Sequence, residues 1–201
     1  MIDFADVTAG GHGPPTRVVV AITGASGAAY GIRALDLLRE AGVETHLVIT
    51  RSGIATVSYE TDESVQSVKK RAAVVHSDSD LGAAISSGSF PVAGMLVAPC
   101  SIKTLSGIAN SYDENLVVRA ADVTLKEKRP LVLLLRETPL HSGHLRLMSQ
   151  AVEAGAVMMP PVPAFYTRPE SVDDIVTHTV HRALDLLGLP LDHQSRWGGF
   201  R

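Results

Sequence analysis

The stretch RVVVAITGASGAAYGIRALDLLREAGVETHLVIT, residues 17–50, decides the fold. It opens with a β-branched run that shows no polar alternation and ends in glycine, as expected of a strand buried on both faces. From Gly27 to Glu40 the apolar residues Ile32, Leu35 and Leu38 recur at helical spacing, and Gly42 follows as a C-terminal cap. Glu44 to Thr50 supplies a second strand. Strand, glycine turn, helix and strand make a βαβ unit, with the two strands parallel because the helix carries the chain back.

The alternation continues downstream. Ile54 to Tyr59 opens a helix, Ala72 to Val75 reads as a short strand, and Leu81 to Ile85 as a helical turn before Ser87-Gly88-Ser89. Gly94 to Pro99 is a buried strand, Leu105 to Ala109 and Leu116 to Glu127 are helical, and Leu131 to Leu135 is an all-apolar strand. An amphipathic helix from Ser142 to Ala154 and a strand from Ala156 to Met159 follow. A long helix from Ser171 to Leu187 closes the series, with Asp173 and Asp174 in its first turn. The pattern predicts a three-layer, doubly wound α/β domain over residues 17–188, built on a mostly parallel sheet. Residues 1–16 read as a flexible leader and 189–201 as a tail, and no fixed-period repeat points to a solenoid.

Composition narrows the function classes. With 201 residues, 45% hydrophobic and 19% charged, the chain is one ordinary domain able to bury a core, which excludes intrinsic disorder. Lys and Arg total 18 against 21 Asp and Glu, and a net charge of -3 gives no general attraction to nucleic acid or an anionic membrane. The single cysteine, Cys100, excludes an intramolecular disulfide framework and a multi-cysteine zinc site. No apolar run approaches a membrane span, and the leader lacks a signal-peptide core, so the cytoplasm is the expected compartment.

In open α/β sheets ligands bind beyond the carboxyl ends of the strands, so the residues after Ile22, Ile49, Val97, Leu135 and Met159 carry the candidate chemistry. Gly24-Ala25-Ser26-Gly27 can offer backbone N–H groups and the Ser26 hydroxyl to a phosphate at a helix N-terminus. The alternative is a tight turn and nothing more; the loop is not a Walker A motif, since no Gly-Lys-Ser/Thr follows. Ser101-Ile102-Lys103-Thr104 brings hydroxyls and a cation to the same edge, or else a helix cap with a surface lysine. Arg136-Glu137 adds a guanidinium and a carboxylate there, or a solvated pair. Lys126, Lys128 and Arg129 suit a helix C-terminus without further role, and Glu60 reads equally well as a surface residue. His141 with His144, and His178 with His181, have metal-ligand spacing but lack a third ligand. Cys100 has no histidine placed to activate it and reads as a small buried residue.

The phrases GASGAAYG, PCSIKTLSGIANSY, RAADVTLKEKRPLVLLLRETPLH and GAVMMPPVPAFYTRP together resemble the flavin prenyltransferases, the UbiX/Pad-type family. The similarity spans nearly all of residues 17–188, and Arg196-Trp197 is similar to the end of some bacterial members. The resemblance implies a Rossmann/flavodoxin-like homo-oligomer, typically dodecameric, that binds FMN. It implies transfer of a dimethylallyl group from dimethylallyl phosphate to the reduced flavin, without a metal. The product, prenylated FMN, serves a UbiD-type decarboxylase, which places such proteins in ubiquinone biosynthesis and aromatic acid decarboxylation.

Carried over by matching positions, Gly24, Ala25 and Ser26 correspond to the first flavin-binding turn and Ser101, Ile102, Lys103 and Thr104 to the second. Arg136 corresponds to a flavin-contacting arginine. Tyr166 and Arg182 match the residues that hold dimethylallyl phosphate; Arg119, Lys126 and Glu137 match positions near the reacting groups, and Glu60 matches a catalytic glutamate. Ser26 is implied in catalysis as well as cofactor binding. Thr50 stands where many members have serine, keeping the hydroxyl, and Leu81 stands roughly where some carry tryptophan. The Met158–Pro161 run offers an apolar wall to keep the site dry.

Three rival readings remain at this level. An FMN-dependent cysteine decarboxylase shares the fold, but its Asn-rich turn and catalytic histidine have no counterpart, the turn here reading PCSIKT. An NADP-dependent reductase would use Arg51 for a 2′-phosphate, yet Tyr30, Tyr59, Tyr112 and Tyr166 all lack the Tyr-x-x-x-Lys lysine of the short-chain type. The third is a non-catalytic flavin carrier.

Overall fold

The uniformly apolar runs become strands buried on both faces of one sheet. A computed structural model describes residues 15–191; residues 1–14 and 192–201, with Arg196-Trp197 and most of the expected leader and tail, lie outside the described residues. Strands β1 (Arg17–Ile22), β2 (Glu44–Ile49), β3 (Val74–His76), β4 (Gly94–Cys100), β5 (Leu131–Leu135) and β6 (Val157–Met158) alternate with helices. These are α1 (Ala28–Glu40), α2 (Arg51–Glu60), α3 (Val65–Lys69), α4 (Ile102–Ala109), α5 (Leu116–Lys126), α6 (Ser142–Glu153) and α7 (Val172–Leu186).

The order β3-β2-β1-β4-β5-β6 and the parallel pairing throughout define a doubly wound sheet with the Rossmann strand order. Alternate residues feed two cores. Val18, Val20, Ile22, Leu96, Ala98, Val132 and Leu134 pack with Leu35 and Leu38 of α1 and Val180 and Leu184 of α7. Val19, Ala21, Met95, Val97, Leu131 and Leu133 pack with Leu105, Leu116 and Val117 of α4 and α5 and Ala151 of α6. Each large side chain so buried contributes roughly 1.5–3 kcal/mol. Helix α1 lies close on β4 because residue 31 is glycine: a Cβ there would come 2.3 Å from the Ala98 carbonyl oxygen. Ser171 caps α7 by accepting from the Asp174 N–H, while the Asp174 carboxylate accepts from the Ser171 N–H, a complete capping box.

Several boundaries differ from the sequence reading. Helices α2 and α4 begin three residues earlier than Ile54 and Leu105, because Thr50 and Ser101 cap them ahead of the apolar spacing. The third strand is Val74–His76 rather than Ala72–Val75, since its register is set by β2, with His46 opposite Val74 and Val48 opposite His76. The turn expected at Leu81–Ile85 is a 3-10 turn at Ala84–Ser86, and α3 was not foreseen. The sheet is wholly rather than mostly parallel. Met158 and Met159 pack partly against opposite cores, which leaves less of that run to wall a ligand.

Candidate active site

The strand order reverses between β1 and β4, so the crevice at their carboxyl ends is where this topology receives a ligand. Helices α1, α2 and α4 start there, and each presents backbone N–H groups that intrahelical bonding leaves over. Thr50 caps α2, its Oγ1 accepting from the Gly53 N–H at 3.0 Å. Ser101 caps α4, its Oγ accepting from the Thr104 N–H at 3.3 Å and lying 3.1 Å from Thr104 Oγ1. Between these two caps is a cavity of about 200 Å³ lined by Gly24, Thr50, Arg51, Ser52, Ser101 and Thr104 among others. Residue 24 has to be glycine for this slot to exist: a Cβ there would meet the Ser52 Cβ at 2.3 Å.

The start of α1 holds a protein carboxylate where the sequence reading expects a phosphate. Glu60 Oε2 accepts from the Gly27 N–H at 2.7 Å and the Ala28 N–H at 3.0 Å, tying the end of α2 to the start of α1. Burial pushes the Glu60 carboxyl up, but the Ser26 hydroxyl, the two N–H donors and the Arg136 charge together hold it below the ordinary carboxylate value. This tie is therefore complete at neutral pH and is lost only as pH falls below the ordinary carboxylate range. Arg136 is placed by its own N–H, which donates to the Cys100 carbonyl at 3.1 Å beside the Ser101 turn. Glu137 accepts from the Thr138 N–H at 3.1 Å. Ser26, Glu60 and Arg136 thus form one cluster, and the phosphate-sized slot lies next to it at α2 and α4.

Lys103 also lines the slot, largely exposed and paired with Glu114 at 2.8 Å, the bond that raises its ammonium pKa. Other expected residues are placed elsewhere. Arg119 is held on α5 by Asp113 at 3.0 Å, Asp122 at 3.4 Å and the Ser86 carbonyl at 3.2 Å. Lys126 is at the far end of α5, bonded to Glu127 at 2.6 Å and close to Gly88. At 1.5 Å per residue that is roughly 15 Å along α5 from Leu116, at the opposite edge of the sheet from Ser26. Tyr166 lies in a 3-10 turn after β6, its hydroxyl 3.3 Å from His178 Nε2. Arg182 is ten residues into α7 and pairs with Asp185 at 2.9 Å. Leu81 is half-exposed.

Among the described residues no group of three or more His, Cys, Asp or Glu side chains is arranged to hold a metal. His141 instead caps α6, its Nδ1 accepting from the Gly143 N–H. Cys100 is fully buried, which pushes its thiol up to about 12, far from a nucleophile's range. Arg51 and Ser52, which follow the second strand where the sequence reading expects the chemistry, line the crevice, and Thr23, which that reading did not single out, is buried beside it. No helix among the described residues is long and apolar enough to cross a membrane.

A slot for an anion at the switch point of a parallel sheet, with a carboxylate–guanidinium cluster beside it, defines a binder of a phosphorylated organic cofactor. Residues 8–184 match the flavoprotein family. Over 183 residues the chain is 58% identical to flavin prenyltransferase UbiX of Thauera aromatica, covering 91% of this chain and 94% of that one. The solved structure of AnUbiX in complex with FMN and dimethylallyl pyrophosphate superposes with a TM-score of 0.89 at 47% identity, covering 94% of this chain and all of that one. A dodecameric FMN-dependent UbiX-like decarboxylase from Escherichia coli O157:H7 gives a TM-score of 0.89 at 49% identity, over 92% of this chain and all of the other. The chain belongs to the UbiX flavin prenyltransferases of the flavoprotein family.

The crevice suits FMN on its own chemistry. The slot between the α2 and α4 caps offers hydroxyls, helix N-termini and the Arg51 and Lys103 side chains to a phosphate monoester, while Asp78 and the Lys103-paired Glu114 complete its lining.

Proposed function

We propose that this chain transfers a dimethylallyl group from dimethylallyl phosphate to reduced FMN, and that a UbiD-type decarboxylase in the cytoplasm receives the prenylated FMN. The observation that carries this reading is the adjacency of the α2–α4 slot to the Ser26–Glu60–Arg136 cluster. Bound reduced FMN would supply the nucleophile that accepts the dimethylallyl group. Thr50, Arg51, Ser101 and Thr104 would hold its phosphate, and Ser26 and Glu60 form a hydrogen-bonded pair able to hold or pass a proton at the serine hydroxyl.

An allylic monophosphate leaves poorly, and fixed cations and a phenol stabilise its developing charge. Lys126, Arg182 and Tyr166 are suited to that task. Because Lys126 is at the opposite sheet edge from Ser26, and Arg182 is well down α7, the complete site would form between copies of the chain, in an assembly like the dodecamer of its relative. Ser26→Ala and Lys126→Ala, each inactive alone, are expected to recover part of the activity when co-expressed as mixed oligomers. No recovery in oligomers shown by mass to be mixed would place both residues in one chain's site.

Arg136→Ala is expected to weaken FMN by about one to two decades, since a charge-assisted hydrogen bond contributes about 1.5–3 kcal/mol. A fluorescence titration checks this, and an unchanged Kd would remove Arg136 from the flavin site.

A further inference from the structure

Thr23, the residue that follows β1, is fully buried at the switch point. Its Oγ1 donates to the Pro99 carbonyl at 2.7 Å and accepts from the Ser101 N–H at 2.9 Å, while its own N–H donates to the same carbonyl at 3.3 Å. The regular β1–β4 ladder has ended before this point: its last pair is Ala21 with Val97, and the β4–β5 register is irregular between Val97 and Cys100. Pro99 has no N–H with which to continue a ladder. Beyond the single long backbone bond, one side chain therefore makes the connection between the Gly24–Ser26 turn and the Ser101–Thr104 turn. The chain continues from Ser101 through its hydroxyl to the Thr104 N–H, so the start of α4 inherits its position from Thr23.

Resting on the reading that these two turns hold FMN, we propose that Thr23 is a positioning residue that sets the spacing of the two turns across the crevice. It touches neither substrate nor cofactor and acts through the Ser101 turn. A valine of the same shape would fill the space but leave the buried Ser101 N–H without an acceptor, and Pro99 with only the longer amide bond. The first half of the slot would then be held against the second by that one bond.

The test compares Thr23→Val, Thr23→Ser and Thr23→Cys as purified full chains, with Leu38→Ala as a variant weakened in the α1 core. FMN affinity is read by fluorescence titration, stability by denaturant midpoint, and the Ser101 amide by hydrogen exchange. Thr23→Val is expected to bind FMN about tenfold more weakly and to raise KM for FMN more than it lowers kcat, with faster exchange at Ser101. Thr23→Ser, which keeps both bonds, restores wild-type affinity. Thr23→Cys, with a weak donor and acceptor, falls between and carries the same comparison if the valine chain does not fold. Leu38→Ala loses stability while keeping FMN affinity. Wild-type FMN affinity and Ser101 exchange in Thr23→Val or Thr23→Cys, at whatever stability, would overturn the proposal. If the wild-type chain itself failed to bind FMN, the functional reading would fall instead, and the Ser101 exchange rate would still decide the role of Thr23.

Discussion

Arg182→Ala is expected to slow prenyl transfer by about a hundredfold or more while leaving FMN bound. The charge that needs help during the reaction is the one that develops on the departing phosphate. A preorganised donor facing such a charge in a dry site contributes on the order of 3 kcal/mol to lowering the barrier. Arg182 is half-exposed in the isolated chain and pairs with the largely buried Asp185 at 2.9 Å, so a denaturant curve on the same variant separates loss of rate from loss of fold. It also lies away from the α2–α4 slot, which is why FMN affinity is expected to persist. Single-turnover rates with saturating flavin, alongside the flavin Kd, measure both halves. A rate within threefold of wild type, or a rate lost only in step with FMN, would take Arg182 out of phosphate handling.

Gly24→Val is expected to weaken FMN by at least about a hundredfold with little loss of fold stability. The first added carbon already meets Ser52 Cβ at 2.3 Å, so the turn or the start of α2 has to move, and either motion closes the slot between the two caps. The rest of α1 is anchored independently by Leu35 and Leu38 in the core, which confines the damage to the crevice. Equilibrium dialysis against FMN and a denaturant curve separate the two effects. Retention of wild-type FMN affinity would mean that the phosphate is held elsewhere.

Most of the fold was legible because buried parallel strands announce themselves as apolar β-branched runs, and because caps such as Ser171 are local. What stayed hidden was set at a distance. The bounds of β3 come from its register with β2, and α3 is a five-residue helix too short for periodicity to reveal. In the site, the strand-end turns were readable, but nothing in the sequence pairs Glu60 with the Gly27 N–H, or Thr23 with Ser101, 78 residues on. The displacement of Lys126 was readable in principle. A helix that leaves the carboxyl edge of a parallel sheet returns to the opposite edge, and Lys126 ends such a helix.

The central claim is tested most directly by the mass of the flavin. Wild-type protein is incubated anaerobically with reduced FMN and dimethylallyl phosphate, with and without EDTA, and the flavin is analysed by mass spectrometry. The account predicts a flavin heavier by one dimethylallyl unit in both samples. Flavin of unchanged mass would contradict prenyl transfer, and product abolished by EDTA but rescued by Mg²⁺ would contradict phosphate departure assisted by Lys126, Tyr166 and Arg182 alone.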